Sequence, residues 1–190
     1  GETAEQSLGN YGFAMTFTSN GGTGARPLKD GLSATAYPSG VRGTPVEIAE
    51  QLMPVIFWKK ELRPDSGGAG RTRGGMGQTM EIGSAIDKPF ELLAAFDRID
   101  NPPRGRDGGH DGEAGSVALK SGRKLRGKGF QTVPQGDRLL IDTPGGAGLG
   151  NPSGRSADAV RHDVTDGLVS TTAARSVYGA KSARSRQNGR

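Results

Sequence analysis

Cysteine is absent from the 190 residues, and this absence excludes disulfide bonds, zinc–thiolate sites and a cysteine nucleophile. A cysteine-free chain is typical of a reducing compartment, so we expect a cytoplasmic protein. No apolar run approaches the roughly 20 residues that a membrane-spanning helix needs, so we expect no membrane insertion. The sequence starts at Gly1 without a signal-peptide pattern, which indicates a processed product or a piece of a longer protein.

Hydrophobic side chains are also scarce, at 32% of the residues, and aromatic side chains make up only 5%. Glycine and proline are abundant, with 33 and 11 residues respectively. Such a composition approaches that of disordered chains. The apolar residues are clustered, however, and no simple repeat is present. The sequence therefore predicts a folded, glycine-rich module that buries part of its surface against a partner.

Positive charge is in excess, with a formal net charge of +5. Two segments, 120–128 and 181–190, carry much of this excess and contain no acidic residue. Basic segments can bind nucleic acid, but neither of these interleaves aromatic side chains with its charges, as stacking surfaces do. We therefore expect a solvent-exposed loop at 120–128, a mobile tail at 181–190 and no nucleic-acid partner.

Local patterns predict short strands separated by turns. Residues 11–18 are rich in strand formers and end at a Ser-Asn-Gly-Gly turn signal. Thr44 and Pro45 are suited to the N-cap and first position of a short helix that Pro54 would end. Further expected elements are strands at 55–62, 76–82 and 139–141, an element of unassigned type at 90–99, and an exposed loop, open to disorder, at 100–116.

The C-terminal region has a helical pattern instead. Ala157, Val160 and Val164 recur at helical spacing, Ser156 is a suitable N-cap and Gly167 is a suitable stop. A second short helix is expected between Ser170 and Gly179. Together these patterns predict a β-rich α+β fold with short strands, long glycine-rich turns and two short C-terminal helices. We expect one module at 1–180, followed by the tail.

Three glycine clusters, at 21–26, 63–78 and 145–150, contain the charged residues of most chemical interest. Glycine permits close backbone approach, and arginine offers a planar fork of donors for anions. Arg63, Asp65, Arg71 and Arg73 allow two interpretations. One is a buried arginine–carboxylate pair that braces a glycine turn. The other is that Arg71 or Arg73 faces an anionic intermediate or a phosphate on a partner protein.

Other motifs are incomplete. Residues 122–128 have the glycine-to-lysine spacing of a phosphate loop, but Gly129 occupies the position of the magnesium-binding Ser or Thr. His110 lies between Asp107 and Asp111, a set that suits a divalent metal but equally a solvated loop. His162 and Asp163 fall on the polar side of their expected helix. We therefore expect no cofactor or metal bound by this chain itself.

The order of the glycine motifs resembles the hydantoinase B/oxoprolinase family. The resemblance extends over residues 11–180, with the poorest agreement at 100–115 and departures at Thr72, Ala147 and Asn151. The matching motifs are Gly-Gly-Thr-Gly-Ala-Arg-Pro at 21–27, Thr-Pro-Val-Glu at 44–47, Leu-Arg-Pro-Asp-Ser-Gly-Gly-Ala-Gly-Arg at 62–71, Pro-Gln-Gly-Asp at 134–137, Thr-Pro-Gly-Gly-Ala-Gly at 143–148 and Asp-Val-Thr-Asp-Gly-Leu-Val-Ser at 163–170.

This resemblance implies an enzyme subunit. Members of the family are subunits or halves of ATP-dependent ring-opening amidohydrolases, such as N-methylhydantoinase and 5-oxoprolinase. An A-type partner binds ATP with magnesium and phosphorylates a small cyclic amide, and the B-type subunit processes the activated intermediate. The family's divalent-metal ligands lie in the N-terminal part of the B-type subunit, whereas this chain resembles the C-terminal third. The implied partners are a hydantoinase A-type subunit and the remainder of the B-type subunit, in a hetero-oligomer.

The catalytic residues are not identified by the sequence. The candidates are Arg26, Asp30, Asp65, Arg71 and Arg73. We expect the isolated chain to be inactive. Two alternatives stay open at this point: a fragment of the large subunit of an acetone or acetophenone carboxylase-type complex, and a non-catalytic assembly module.

Overall fold

The computed structural model describes residues 19–35 and 43–180. The strand expected at 11–18 and the tail at 181–190 lie outside the described residues. The elements are helix α1 (Val46–Leu52), strands β1 (Val55–Leu62), β2 (Gln78–Ser84), β3 (Phe90–Ala95), β4 (Ser116–Leu119), β5 (Lys128–Val133) and β6 (Arg138–Asp142), a 3-10 turn (Pro152–Gly154), and helices α2 (Ala157–Thr165) and α3 (Thr171–Ser176). None of these helices is long and apolar enough to cross a bilayer.

The strands form two antiparallel sheets that enclose an apolar core. The larger sheet has four strands in the order β1-β2-β6-β4, and β3 and β5 form a two-stranded ribbon. Side chains from the larger sheet, among them Met80, Ile82 and Ile141, pack with Val133 of the ribbon. Alternation along each strand selects these positions, because successive side chains point to opposite faces of a sheet. This two-sheet core is built in the ordinary way from buried side chains.

A second part of the molecule is held together by backbone groups. We call it the glycine stack and define it as residues 21–24, 66–77, 105–115 and 143–150. Its segments lie outside the named strands. They are joined by backbone hydrogen bonds such as Gly22 N to Pro144 O (2.9 Å), Gly75 N to Thr23 O (2.9 Å), Gly146 N to Gly75 O (2.8 Å) and Gly68 N to Gly146 O (2.8 Å).

Glycine is required in the stack because its segments approach too closely for side chains. A Cβ atom at Gly145 would lie 1.7 Å from the carbonyl oxygen of Ser66. A Cβ atom at Gly146 would lie 1.8 Å from the carbonyl oxygen of Thr23. These distances are far inside van der Waals contact, so any larger residue must displace the neighbouring backbone. Collagen uses glycine at its crowded axis for the same physical reason.

The glycine stack corrects part of the expectation for residues 100–116. The segment up to residue 115 is a loop with mostly exposed side chains, as predicted, but from residue 105 onward its backbone is hydrogen-bonded into the stack. His110 N donates to Ala69 O at 2.7 Å, and Glu113 N donates to Ser66 O at 2.8 Å. The segment then continues directly into β4, which was not predicted. Its glycines weaken local structure but permit these long-range backbone pairings.

Most other local expectations are confirmed. Strand β1 occupies 55–62, and β6 extends the expected strand at 139–141 by one residue at each end. Strand β2 starts at Gln78, two residues later than expected, because Met76 and Gly77 belong to the stack. Pro45, rather than Thr44, occupies the N-cap of α1. The element at 90–99 is strand β3, which ends at Ala95.

Both C-terminal helices are confirmed together with their caps. The Ser156 hydroxyl accepts a hydrogen bond from Ala159 N at 3.2 Å, and the Ser170 hydroxyl accepts one from Ala173 N at 3.0 Å. The helices share a small apolar cluster that contains Val160. They form a separate layer beside the glycine stack.

Candidate functional site

Four buried or half-buried charges connect the glycine stack to the C-terminal helices. We call Asp30, Arg73, Arg155 and Asp163 the buried ion network. Arg73 is only 4% exposed, and its Nε and Nη2 atoms each lie 3.2 Å from Oδ1 of Asp163. Its Nη1 atom donates to Gly74 O at 2.6 Å. Of the two interpretations that the sequence allowed for Arg73, the structure agrees with the buried pair, because its guanidinium is enclosed by the protein's own groups.

Arg155 completes the network by contacting both carboxylates. Its Nη1 and Nη2 atoms donate to the two oxygens of Asp30, at 2.8 Å and 2.7 Å. Its Nε atom donates to Oδ2 of Asp163 at 3.0 Å. This is the bidentate geometry in which arginine binds carboxylates most strongly. The main-chain N–H of Arg73 also donates to Oδ1 of Asp30, at 2.6 Å.

The network is balanced, with two positive and two negative groups. Burial alone would raise the pKa of Asp30, but its hydrogen bonds to Arg155 and to Arg73 N outweigh burial and lower that pKa. Asp30 is therefore ionised at neutral pH, opposite the permanently charged guanidinium of Arg155. The sequence suggested a buried arginine–carboxylate pair bracing a glycine turn, and the Arg73–Asp163 pair has that character.

Three cations lie on the exposed side of the network. We call Arg26, Lys29 and Arg71 the basic rim. Arg26 Nη2 donates to the carbonyl oxygen of Asp30 at 2.9 Å, and the Thr72 hydroxyl donates to Arg26 O at 2.8 Å. All three side chains of the rim are exposed. Because Asp30 is engaged by Arg155, the rim carries positive charge that the network does not neutralise.

Asp65 lies apart from the other four candidates. Its backbone has φ of 61°, a left-handed conformation that is uncommon for a residue with a side chain. Its Oδ1 atom accepts a hydrogen bond from Ser170 N at 2.8 Å, and its own N–H donates to Leu168 O at 3.0 Å. Asp65 therefore positions the start of α3, and the structure gives it a supporting contact with that helix.

A cavity of about 330 Å³ lies between the glycine stack and α3. It is open to solvent on one side, and its size is at the lower end for small-molecule sites. The polar residues in its lining include Asp65, His110, Asp111, Glu113, Ser170 and Tyr178. Carboxylates and an imidazole can accept protons, and hydroxyls can hold a polar ligand. The lining therefore offers polar groups to a molecule in the cavity.

Tyr178 lies where the cavity meets the ion network. Its hydroxyl is buried and has no hydrogen-bond partner within the described part of the chain. Burial is the main cause that raises the pKa of this phenol to about 12, so the hydroxyl is protonated at neutral pH. It can therefore donate a proton in a hydrogen bond.

No group of three or more His, Asp or Glu residues in the ranges 19–35 and 43–180 is arranged to hold a metal ion. His110 is exposed, and its backbone is bonded into the glycine stack. His162 is exposed on α2, as the sequence predicted. These described residues therefore do not identify a binding site for the divalent metal that the family resemblance implies.

Sequence reasoning missed Arg155, Asp163 and Tyr178. Asp163 was assigned with His162 to the polar side of its helix, but it is 5% exposed. A signal was present, because Asp163 follows Val160 by three positions and so falls on the buried stripe. The sequence contains no comparable sign for Arg155, which reaches Asp30 across 125 positions.

Comparison with known proteins gives a consistent result. The family model described as Hydantoinase B/oxoprolinase matches residues 1–152. A 5-oxoprolinase of Arabidopsis thaliana is 36% identical over 149 residues, which cover 76% of this chain and 12% of that protein. A protein described as a putative B-type subunit of a D-/L-hydantoinase, from a Pseudomonas species, is 31% identical over 185 residues, which cover 92% of this chain and 30% of that protein.

The fold is also found among solved structures. The crystal structure of the ATP-dependent caprolactamase from Pseudomonas jessenii matches with a TM-score of 0.71 and 27% identity. The match covers 90% of this chain and 31% of that chain. The chain thus spans less than a third of the length of each of these relatives.

Proposed function

The chain belongs to the hydantoinase B/oxoprolinase family, and on this premise we propose that it is part of the B-type subunit of an ATP-dependent cyclic-amide hydrolase. The match of the family model to residues 1–152 carries the proposal. The relatives' names support it, because oxoproline, hydantoin and caprolactam are all cyclic amides. As in the relatives, the module would work within a longer polypeptide or a complex.

We propose that this protein acts on an intermediate phosphorylated by an A-type subunit, which holds ATP and magnesium. An amide oxygen is a poor leaving group, and phosphorylation by ATP converts it into a good one. One water adds to the activated carbon and the ring C–N bond breaks, which releases the amine and leaves an acyl phosphate. A second water then releases phosphate and the carboxylate. The remainder of the B-type subunit would supply the ligands of the family's divalent metal. The cytoplasmic location stays a prediction from the sequence.

The exposed positive charge of the basic rim supports the proposal that the chain acts on an anionic intermediate. Arg26, Lys29 and Arg71 are exposed next to a network whose own charges cancel. Prearranged positive charge stabilises negative charge that develops in a transition state. Among the five candidates, Arg26 and Arg71 are the arginines whose side chains are accessible to such a species, whereas Arg73 is buried.

The proposal is tested in a complete assembly of the chain, an A-type subunit and the rest of a B-type subunit. Turnover is measured as ring-opened product and ADP formed from 5-oxoproline, a hydantoin and caprolactam. We expect product and ADP to form together with at least one substrate. Intact assembly that forms neither from any of the three would refute the proposal.

The rim is tested by Arg71→Ala in the same assembly. If Arg71 stabilises the phosphorylated species, turnover falls by about 100-fold or more. Arg161→Ala is the matched control, since Arg161 is exposed on α2 and pairs only with Asp158 within the described contacts. Equal turnover of both variants in equally assembled complexes would remove Arg71 from the mechanism.

A non-catalytic assembly module is the second candidate, and one observation favours it. Each charged group of the buried ion network is satisfied by another member, which is the arrangement of a structural brace. In that case an A-type subunit would co-purify with the chain, and turnover by the other components would not depend on the chain. Loss of turnover on omitting the chain would exclude this candidate.

A further inference from the structure

The outer face of the β3–β5 ribbon carries an exposed apolar pair. In the antiparallel register, Leu93 lies directly opposite Phe130. Their neighbours along the strands, Leu92 and Val133, point to the opposite face and pack in the two-sheet core. Leu93 is 62% exposed and Phe130 is 70% exposed. Within the described residues, nothing covers this pair as the larger sheet covers the inner face.

Ala95 extends the apolar pair along β3, and its cross-strand partner is Lys128. We call Leu93, Ala95 and Phe130 the ribbon face. A two-stranded ribbon gains little stability by itself and usually needs a hydrophobic face packed on another element. Here one face already packs on the core, so the apolar character of the second face has no function within the described fold.

The free edge of β5 is closed to strand addition. Arg126 Nη2 donates to Phe130 O at 3.2 Å, and Arg123 Nη2 donates to Thr132 O at 3.2 Å. The side-chain amide of Gln131 bonds to both the main-chain N–H and the carbonyl of Arg126, each at 2.6 Å. Charged side chains on an edge oppose pairing with another chain. These contacts oppose strand addition at the β5 edge.

The charges on the two sides of the ribbon face differ in sign, with basic residues of the segment 120–128 on the β5 side. Arg126, which precedes β5, and Lys128, the first residue of β5, are both exposed. On the β3 side, Asp97 accepts from Lys128 Nζ at 2.6 Å, and Glu91 accepts from the Thr132 hydroxyl at 2.8 Å. A complementary surface would be apolar at its centre and acidic where it faces β5.

We propose that the ribbon face is the docking surface for another region of the B-type subunit, apolar at its centre and acidic opposite β5. The proposal rests on the proposed function. It follows from the lengths of the relatives, since the module covers 30% of the hydantoinase polypeptide and 31% of the caprolactamase chain. Each of those chains therefore has more than twice the module's length available to cover such a face.

The first test is capture of the full chain by a tagged polypeptide that completes the B-type subunit, after co-expression. Phe130→Ser and Leu93→Ser are expected to weaken the measured association by about 30-fold or more, the effect of removing a buried interface anchor. Leu28→Ser is the matched control, because Leu28 is 91% exposed at a turn outside the ribbon. This control should be captured like the wild type.

A second test does not require that a substitution weaken the binding of the chain to the tagged polypeptide. The chain has no cysteine, so Ala95→Cys and Leu28→Cys each introduce a single thiol. In the captured assembly, a maleimide should modify the thiol at position 95 at least about tenfold more slowly than the thiol at position 28, since buried interface positions exclude water and solutes. Equal rates in the captured assembly would overturn the proposal even if the serine variants fail to fold.

The outcomes separate this proposal from the proposed function. If the wild-type assembly opens cyclic amides but Phe130→Ser and Leu93→Ser are captured normally, the docking surface is wrong and the function stands. If the wild-type chain is captured and Phe130→Ser and Leu93→Ser weaken its capture, but the assembly has no activity on any cyclic amide, the proposed function fails and the docking surface stands. Concentration-dependent dimers of the chain alone that Phe130→Ser abolishes would instead assign the face to self-association.

Discussion

The two-sheet core and the glycine stack reach the same result, a closely packed interior, by opposite means. In the sheet core, side chains such as Met80 and Val133 fill the space between layers and are fully buried. In the stack, the segments approach until backbone touches backbone, and glycine hydrogens replace side chains. The sheet core depends on side chains of the right volume, and the stack depends on residues without side chains. The two regions should therefore respond differently to the same kind of substitution.

The largest effect is expected for Gly145→Ala. The new methyl group would occupy a position 1.7 Å from Ser66 O, and a backbone atom cannot rotate away as a side chain can. We expect a loss of at least about 4 kcal/mol in unfolding free energy, or failure to fold. Chemical denaturation measures this loss.

Gly24→Ala is the control for this substitution, because its nearest neighbour would be Ala147 O at 4.0 Å. It should change stability by less than about 1 kcal/mol. If the two variants were equally stable, close backbone approach would not be what holds the stack together.

The next effect is expected for Asp163→Asn, at the junction between the stack and the helices. This change leaves the buried guanidinium of Arg73 without a carboxylate, and breaking one side of a buried pair costs about 3–5 kcal/mol. Asp158→Asn, on the exposed side of the same helix, should cost less than about 0.5 kcal/mol. Thermal unfolding of the two variants gives the comparison, and similar melting temperatures would contradict a bracing role for the network.

A smaller and more variable effect is expected in the sheet core. Leu139→Ala removes a side chain that is 2% exposed and should cost about 2–5 kcal/mol, depending on how far the core collapses. Ile141→Val should cost only about 1 kcal/mol. Losses of unfolding free energy that grow with the volume removed, measured by urea denaturation, would contrast with the single large loss expected for Gly145→Ala. A graded response in the stack as well would remove the distinction between the two interiors.

The smallest effect is expected for Tyr178→Phe. The buried hydroxyl has no partner among the described residues, so its removal should be neutral or stabilising by about 1 kcal/mol. The pKa of Tyr178 is raised to about 12, above its ordinary value near 10. Because the folded state disfavours ionisation of this phenol, the free energy of unfolding is unaffected by it below pH 10 and falls as pH rises from 10 to 12. Tyr178→Phe should flatten this alkaline loss in pH-dependent unfolding, and an unchanged profile would show that the phenol does not cause it.

The same contrast explains what the sequence could predict. Strand β1 follows from its own run of β-branched and aromatic residues. The serine caps of α2 and α3 follow from local patterns, because each cap bonds to a residue three positions away. The order of residues 100–116 does not, since its hydrogen bonds join it to segments about 40 positions away at each end. Glycine in such a segment is ambiguous, because a flexible loop and a close backbone contact both require it.

The residues of the candidate site also divide into those that local patterns predict and those that they do not. The glycine clusters indicated where arginines and carboxylates would gather, and the structure brings Arg26, Asp30, Arg71 and Arg73 together there. Asp65 was placed in the same run, but it supports α3 instead. The partner shared by both carboxylates of the network, Arg155, could not be inferred, because no local pattern connects positions 30 and 155.

The most direct test of the account compares three samples in one assay of cyclic-amide ring opening and ADP release. The samples are the full chain alone, its companion polypeptides alone, and all of them together. We expect ATP-dependent ring opening only when all components are present. Ring opening at the expense of ATP by the chain alone, or undiminished turnover without it, would contradict the claim that this module completes a larger catalytic assembly.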